Sequence, residues 1–201
     1  MHITKKRKRR IENTLANRQP DLTVVLEEIH DDHNVNAILR SAEAVGVVDV
    51  YFKYKDAFPN LGYKASGSSY KWLDYHKYSD SRKLINELKN KGFKIYSTII
   101  DENSVSIYNI DWTKPSAIIM GNENKGISDK LKKLSDETIY IPMQGMVESL
   151  NVSVASAVTL YEASRQRRNN NQYPNKKLDP DWLKTKFHNW TRINYKNNEH
   201  S

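Results

Sequence analysis

Four polar segments of this 201-residue chain hold the side chains able to do chemistry. The first is HDDHNVNAILRSAEAVGV, residues 30–47. His30, Asp31, Asp32 and His33 look like metal ligands in composition. Four adjacent residues entering a helix cannot converge on one ion, however, and no second ligand set accompanies them, so no metal site is expected. Asn36 and Arg40 are four apart and share a helix face, while Asn34 sits at the expected cap, about 120° round from Arg40 at 3.6 residues per turn. Arg40 interrupts an otherwise apolar run, which suits either a buried ion pair or a ligand for an anion.

The second segment, GNENKGIS over residues 121–128, follows a β-like run. Two glycines five apart after a strand suggest a phosphate loop. The Lys-Ser/Thr ending is missing and the dinucleotide spacing is not met, so a nucleoside triphosphate site is not expected. Glu123 in this turn is open to three readings: a catalytic carboxylate, an acceptor for backbone amides, or an exposed surface group. The third segment, IPMQGMVESLNVSVASAVTLYEA, covers residues 141–163. Ser149 or Asn151 would cap a helix there and Gly145 would turn the chain. Capping does not explain why a loop should hold Met143, Met146, Val147 and Leu150; apolar loop residues imply a pocket wall or an interface. The fourth segment is the strand end Tyr96–Ile100, followed by Asp101, Glu102 and Asn103. Spacing alone supports no catalytic triad and no paired carboxylates.

Those segments need a scaffold, and the chain between them alternates short β-branched runs with helical periods, the pattern of an α/β domain with a largely parallel sheet. Strands are predicted at Leu22–Leu26, Val47–Phe52, Phe93–Ile100, Ala117–Met120 and Thr138–Ile141. Helices are predicted at Val35–Val45, Arg82–Lys91, Asp129–Leu134 and Val152–Arg167. In such folds ligands bind beyond the carboxyl ends of the strands, where all four polar segments fall. The last helix is apolar nearly all round, through Val152, Val154, Ala155, Val158, Leu160 and Tyr161, so part of its surface is expected to meet a second copy of the chain. Lys53 to Tyr70, with Pro59, Gly62 and Gly67, reads as a long surface loop.

The net charge of +8 is unevenly distributed. Residues 1–20 hold seven basic residues and one acidic, and residues 163–201 hold nine and three, leaving an acidic body between two basic ends. Basic ends are drawn to polyanions because phosphate contacts release counterions, so RNA or DNA is the first partner to consider, with solvated tails as the plain alternative. From Asn169 onward, basic residues are interleaved with Tyr173, Trp182, Phe187, Trp190 and Tyr195. That suits phosphate contacts with base stacking, or equally a short helix from Asp181 to about Ile193 that docks its aromatics on the body. There is no cysteine, hence no disulfide, thiolate metal site or cysteine nucleophile. No apolar run has the length of a membrane span, and the basic leader lacks an apolar stretch behind it, so a cytoplasmic or organellar protein with no membrane partner is expected.

Taken in order, NVNAILRSAEAVGV, GNENKGIS and IPMQGMVESLNVSVASAVTLYEASRQR resemble the three motifs of the SPOUT class of methyltransferases. The stretch RQPDLTVVLEEIHDDHNVNAILR, residues 18–40, is similar to the TrmH type, the tRNA (guanosine-2'-O)-methyltransferases. The likeness runs on through ASGSSY to about Arg168, and three motifs in order are far more specific than one. The resemblance implies a parallel sheet with helices on both faces and a C-terminal deep trefoil knot, which ordinary topology rules would not suggest. It also implies a homodimer in the cytoplasm that uses S-adenosylmethionine to methylate the ribose 2'-hydroxyl of a guanosine in the tRNA D-loop, position 18. Other RNA positions, ribosomal RNA or the tRNA wobble ribose, would use the same motifs, and a non-catalytic RNA-binding dimer could keep the fold.

Carried over by position, the resemblance makes Arg40 the central catalytic residue, with Asn34 positioning it and Glu123 near the centre. Ser149 would help bind substrate and Asn151 would fix its loop. Backbone around Thr98, Gly121, Ile141 and Leu150 would hold the cofactor, with Met143 as an apolar wall, and the site would draw on both subunits. A knotted domain over residues 21–168 would carry a basic N-terminal extension, 1–20, and a basic C-terminal one, 169–201. Phosphate contacts to tRNA would come from Lys5, Lys6, Arg7, Lys8, Arg9, Arg10, Arg165, Arg167 and Arg168.

Overall fold

The structure is a computed structural model that describes residues 3–56, 58–59 and 69–193. Seven strands, β1 (Leu22–Glu27), β2 (Asp49–Lys53), β3 (Asp74–Tyr78), β4 (Lys94–Thr98), β5 (Val105–Ser106), β6 (Ser116–Met120) and β7 (Glu137–Tyr140), form one sheet in the order β3-β2-β1-β6-β4-β7-β5. Every pairing is parallel. The central strands β1 and β6 are buried along their whole length, which is why they read as unbroken apolar runs rather than alternating ones. Alternate side chains serve opposite faces: Leu22, Val24 and Leu26 pack with Ile38, Leu39 and Leu160, while Val25 joins Leu84, Leu88 and Leu131. Helices α2 (Asp32–Ala44) and α5 (Val152–Asn169) therefore cover one face, and α3 (Ser81–Asn90) and α4 (Asp129–Leu134) the other.

The expected fold class holds as a parallel α/β sheet with helices on both faces. Five expected strands and four expected helices are present with ends shifted by no more than three residues, whereas β3 and β5 are not apparent in the sequence. Strand β3, DYHKY, lacks an apolar run because it lies at the sheet edge, and β5 has only two residues. Asn34 does not cap its helix. Asp31 is the cap, accepting from His33 N at 2.8 Å, and this brings Asn34 inside the first turn, buried.

The basic amino terminus is no solvated tail but helix α1 (Lys5–Ala16), capped by Thr4, and the carboxyl-terminal aromatics belong to helix α6 (Pro180–Arg192). The two dock through Ile11, Leu15 and Trp190, with Trp72, Trp182, Leu183 and Phe187 packed around them. The docking alternative for the aromatics is therefore the one realised. Tyr195 lies outside the described residues, as do 57 and 60–68 of the expected surface loop, including most of ASGSSY. Helix α5 packs on α2, but it is not covered on both sides: Val154 and Tyr161 are 47% and 57% exposed. No helix among the described residues is long and apolar enough to cross a membrane.

One glycine is dictated by the fold. Gly46, turning the chain between α2 and β2, has φ +92°, and a Cβ there would lie 2.5 Å from the carbonyl oxygen of Asn17.

Candidate active site

The carboxyl ends of β1, β4, β6 and β7 carry the motif loops, and a network of hydrogen bonds ties three of them together. The loop after β1 turns at Glu28, which adopts a left-handed φ of 49°. Its carbonyl accepts from Asn122 Nδ2 at 2.6 Å, and the carboxylate of buried Glu27 accepts from both the backbone and the hydroxyl of Ser128 at 2.8 and 2.6 Å. Tyr54 Oη donates to the carbonyl of Ile29 at 2.8 Å. The loop thus presents the His30 and Asp31 amides to Glu123, at 3.3 and 3.4 Å.

Asn34 completes the connection. Its Nδ2 donates to Glu123 Oε1 at 3.1 Å, and its Oδ1 accepts from Asn151 Nδ2 at 3.1 Å. Asn151 Oδ1 in turn caps α5, accepting from Ser153 N at 2.8 Å and Val154 N at 3.4 Å. Each amide orientation is forced by its neighbours: a carboxylate can only accept, and a helix amino terminus can only donate, so neither asparagine can be reversed without losing a bond. Glu123 is therefore an acceptor for backbone amides as well as a site carboxylate. Partial burial opposes its ionisation, but the bonds from Asn34 and from the His30 and Asp31 amides outweigh that and lower its pKa. At neutral pH it is an ionised anchor rather than a ready proton acceptor.

Beside this network lies a cleft of about 400 Å³ lined by Thr98, Gly121, Glu123, Ile141, Met143, Glu148, Ser149, Leu150 and Asn151. All five residues expected to hold the cofactor converge there. Its floor includes buried Ile107, Met120 and Ile139. Thr98 commits its hydroxyl to the carbonyl of Ile119 at 2.9 Å, leaving backbone to face the cleft. Gly121 serves loop closure: a Cβ there would lie 2.4 Å from the carbonyl carbon of Gly126, across the paired Asn122–Gly126 bridge. The volume, the apolar walls and the exposed backbone fit S-adenosylmethionine, whose adenosine needs apolar cover and a few main-chain partners. No group of residues suited to a metal ion occurs among the described residues.

Arg40 stands apart. It lies on the exposed side of α2, does not line the cleft, and has no hydrogen-bond or ion-pair partner among the described residues. That excludes the buried ion pair and leaves a guanidinium free for an anion.

A second, wider groove of about 1000 Å³ runs along α1 and is lined by Lys5, Lys6, Arg9, Arg10 and Arg168, with Arg168 stacked 4.9 Å over the ring of Tyr173. Four expected phosphate ligands are differently placed. Arg167 is fully buried, with bonds to Trp112 O at 2.9 Å, Gln19 Oε1 at 3.0 Å, Lys114 O at 3.0 Å and the carboxylate of Asp21. With its donors consumed it cannot meet RNA, which corrects its expected role. Arg7 donates to the carbonyl of Ile193 and so fastens α6 to α1. Lys8 pairs with Glu12 at 3.9 Å on the exposed surface, and Arg165 forms a two-pronged pair with Glu162 at 2.8 Å.

Sequence reasoning did not single out Glu27, Tyr54 or Asn122 as positioning residues, nor Arg18. Arg18 is buried with Glu43 at 2.8 Å and the Trp190 ring 4.9 Å away. A carboxylate ending an apolar strand was the one available signal, at Glu27.

Residues 21–161 match the model of the SpoU rRNA Methylase family. The chain is 42% identical over 189 residues to a tRNA (guanosine(18)-2'-O)-methyltransferase of Thermus thermophilus, covering 94% of this chain and 97% of that protein. The crystal structure of the TrmH/SpoU tRNA modifying enzyme of Aquifex aeolicus superposes with a TM-score of 0.87 at 34% identity, covering 94% of this chain and 98% of that one. The SpoU methyltransferase AviRb of Streptomyces viridochromogenes, solved in complex with AdoMet, superposes at 0.67 and 26% identity over 75% of this chain and 62% of that one. With two motif loops lining one cleft, the third hydrogen-bonded to both, and a family match over most of its length, the chain belongs to the SpoU methylase family.

Proposed function

We propose that this protein transfers a methyl group from S-adenosylmethionine to the ribose 2'-hydroxyl of the guanosine at position 18 in the tRNA D-loop. The observation that carries the reading is the Glu123–Asn34–Asn151 chain of hydrogen bonds at the mouth of a cofactor-sized cleft. Relatives that span nearly the whole chain bear this activity in their names.

The cofactor brings a methyl group made electrophilic by its sulfonium; the chain's residues do the rest. Backbone around Thr98, Gly121, Ile141 and Leu150, with Met143 as a wall, holds it in the cleft. Glu123, Asn34 and Asn151 lock the motif loops, and Ser149 meets the substrate. Arg40 binds the oxygen that attacks. A guanidinium offers five donors and no acceptor, so it stabilises a forming alkoxide far better than it removes a proton; the hydroxyl proton would pass to solvent water, and the methyl–sulfur bond would break as the methyl–oxygen bond forms. Alignment of the oxygen with the methyl group supplies much of the remaining acceleration.

The working unit is a homodimer. Arg40 does not line the cleft of its own chain, and the exposed apolar side chains of Met146, Val147, Val154 and Tyr161 call for cover. A second copy supplies it and brings its own Arg40 to the cleft. The segment after β7 threads as a deep trefoil knot within the 21–168 domain. The extensions 1–20 and 169–201 grip tRNA through the Lys5, Lys6, Arg9, Arg10 and Arg168 groove, in the cytoplasm.

Purified protein, labelled S-adenosylmethionine and unmodified tRNA or ribosomal RNA transcripts test the reading, with Arg40→Ala as control. Label at the D-loop ribose, absent from the variant, supports it. Label confined to ribosomal RNA, or none at all, overturns it.

A further inference from the structure

Two carboxylates, Glu123 and Glu148, line the cleft, and no cationic side chain among the described residues of the same chain does. Glu123 is committed to Asn34 and two backbone amides. Glu148 is committed to nothing: it is exposed and makes no hydrogen bond or ion pair with a described residue. It stands next to Ser149 on the rim, whereas the floor at Ile107, Met120 and Ile139 is buried. Substrate must arrive over that rim.

A free carboxylate at this place repels phosphate, so the part of an RNA it can bind is one that donates hydrogen bonds. Guanine presents N1–H and N2–H side by side on one edge, matching the two acceptor oxygens of a carboxylate. Adenine places the bare acceptor N1 there instead, which would face a carboxylate lone pair. We propose that Glu148 reads the target base as guanine by accepting from N1–H and N2–H. The proposal rests on the methyl-transfer reading of the cleft and adds the residue that selects the nucleoside. A rival donor for the same carboxylate is the ammonium group of the cofactor; the rim position favours the base, and the experiment separates them.

The test compares wild type, Glu148→Ala and Glu148→Gln on tRNA transcripts carrying guanosine, inosine or adenosine at the target. Inosine keeps N1–H and lacks the N2 amine. Cofactor affinity is measured by calorimetry, which also reports that each variant is folded. Hydrogen bonds to a charged group predict that wild-type kcat/KM falls about tenfold from guanosine to inosine, and about 100-fold or more to adenosine. In Glu148→Ala the guanosine-to-inosine ratio should fall to near one with cofactor affinity unchanged, and Glu148→Gln, with one acceptor left, should lie between. A ratio that survives Glu148→Ala overturns the proposal. If cofactor affinity falls while the ratio survives, the carboxylate belongs to the cofactor. Failure of wild type to methylate the guanosine transcript removes the methyl-transfer reading itself, a distinct result.

Discussion

Asn34 is held from both sides, as donor to a carboxylate and acceptor from a second amide, so its two ends are chemically distinct. Asn34→Asp keeps the shape and reverses one end, setting a second carboxylate against Glu123. We expect about a 100-fold fall in kcat, the scale of a small misplacement of reacting groups, with cofactor affinity nearly kept; single-turnover methylation checks it. Glu123 also makes a pH prediction. Its folded pKa lies below its ordinary 4.5, so its stabilising contribution is complete above pH 4.5 and is lost as pH falls through the folded value. The stability gap between wild type and Glu123→Gln should therefore be constant near neutrality and vanish in acid; denaturant midpoints across pH 3 to 7 measure it. The sequence carried the identities of Asn34, Glu123 and Asn151, but not their bonds. Three residues from distant segments touch only because parallel strands end at one edge, and nothing in their spacing along the chain states that.

The last turn of helix α5 holds an arginine, Arg167, that looks, by sequence, like its neighbours. Arg165 and Arg168 face outward, while Arg167 joins the end of α5 to the start of β1 and the turn before β6. Helix period separates the three, yet the basic run RQRR concealed which one pointed inward. Arg167→Ala strands a buried network and should cost about 3 kcal/mol, seen as a lower thermal midpoint. The salt dependence of tRNA binding should stay as in wild type. Alanines at Lys5, Lys6, Arg9 and Arg10 should do the reverse, lowering the slope of log affinity against log salt by up to about four while stability holds. Strong elements such as β1, β6 and α4 were legible because apolar runs and punctuation agree. Strand β3 was not, since an edge strand needs little apolar sequence, and α1 was concealed by its charge, its inward face being little more than Ile11 and Leu15.

For the whole molecule, the division of charge noted in the sequence becomes a division of surfaces. The acidic body holds the cleft with its two carboxylates, and the basic groove lies along α1. On the proposed function, an RNA would be held by its backbone at one place and offered to chemistry at another. The apolar patch adds an oligomeric prediction: Val154→Asp combined with Tyr161→Asp should convert a dimer to a monomer in sedimentation velocity and abolish methyl transfer while leaving the fold intact by circular dichroism. The Asn34–Asn151 bond has a consequence in time as well. Its two partners lie 117 residues apart, and Arg167 reaches back 148 residues to Gln19. A chain growing from the ribosome can pair its first strands early, but the centre cannot exist until the last long helix has emerged and docked. Fragments left by stalled synthesis should therefore contain most of the sheet and none of the activity, so that translation would deliver this catalyst complete or inert.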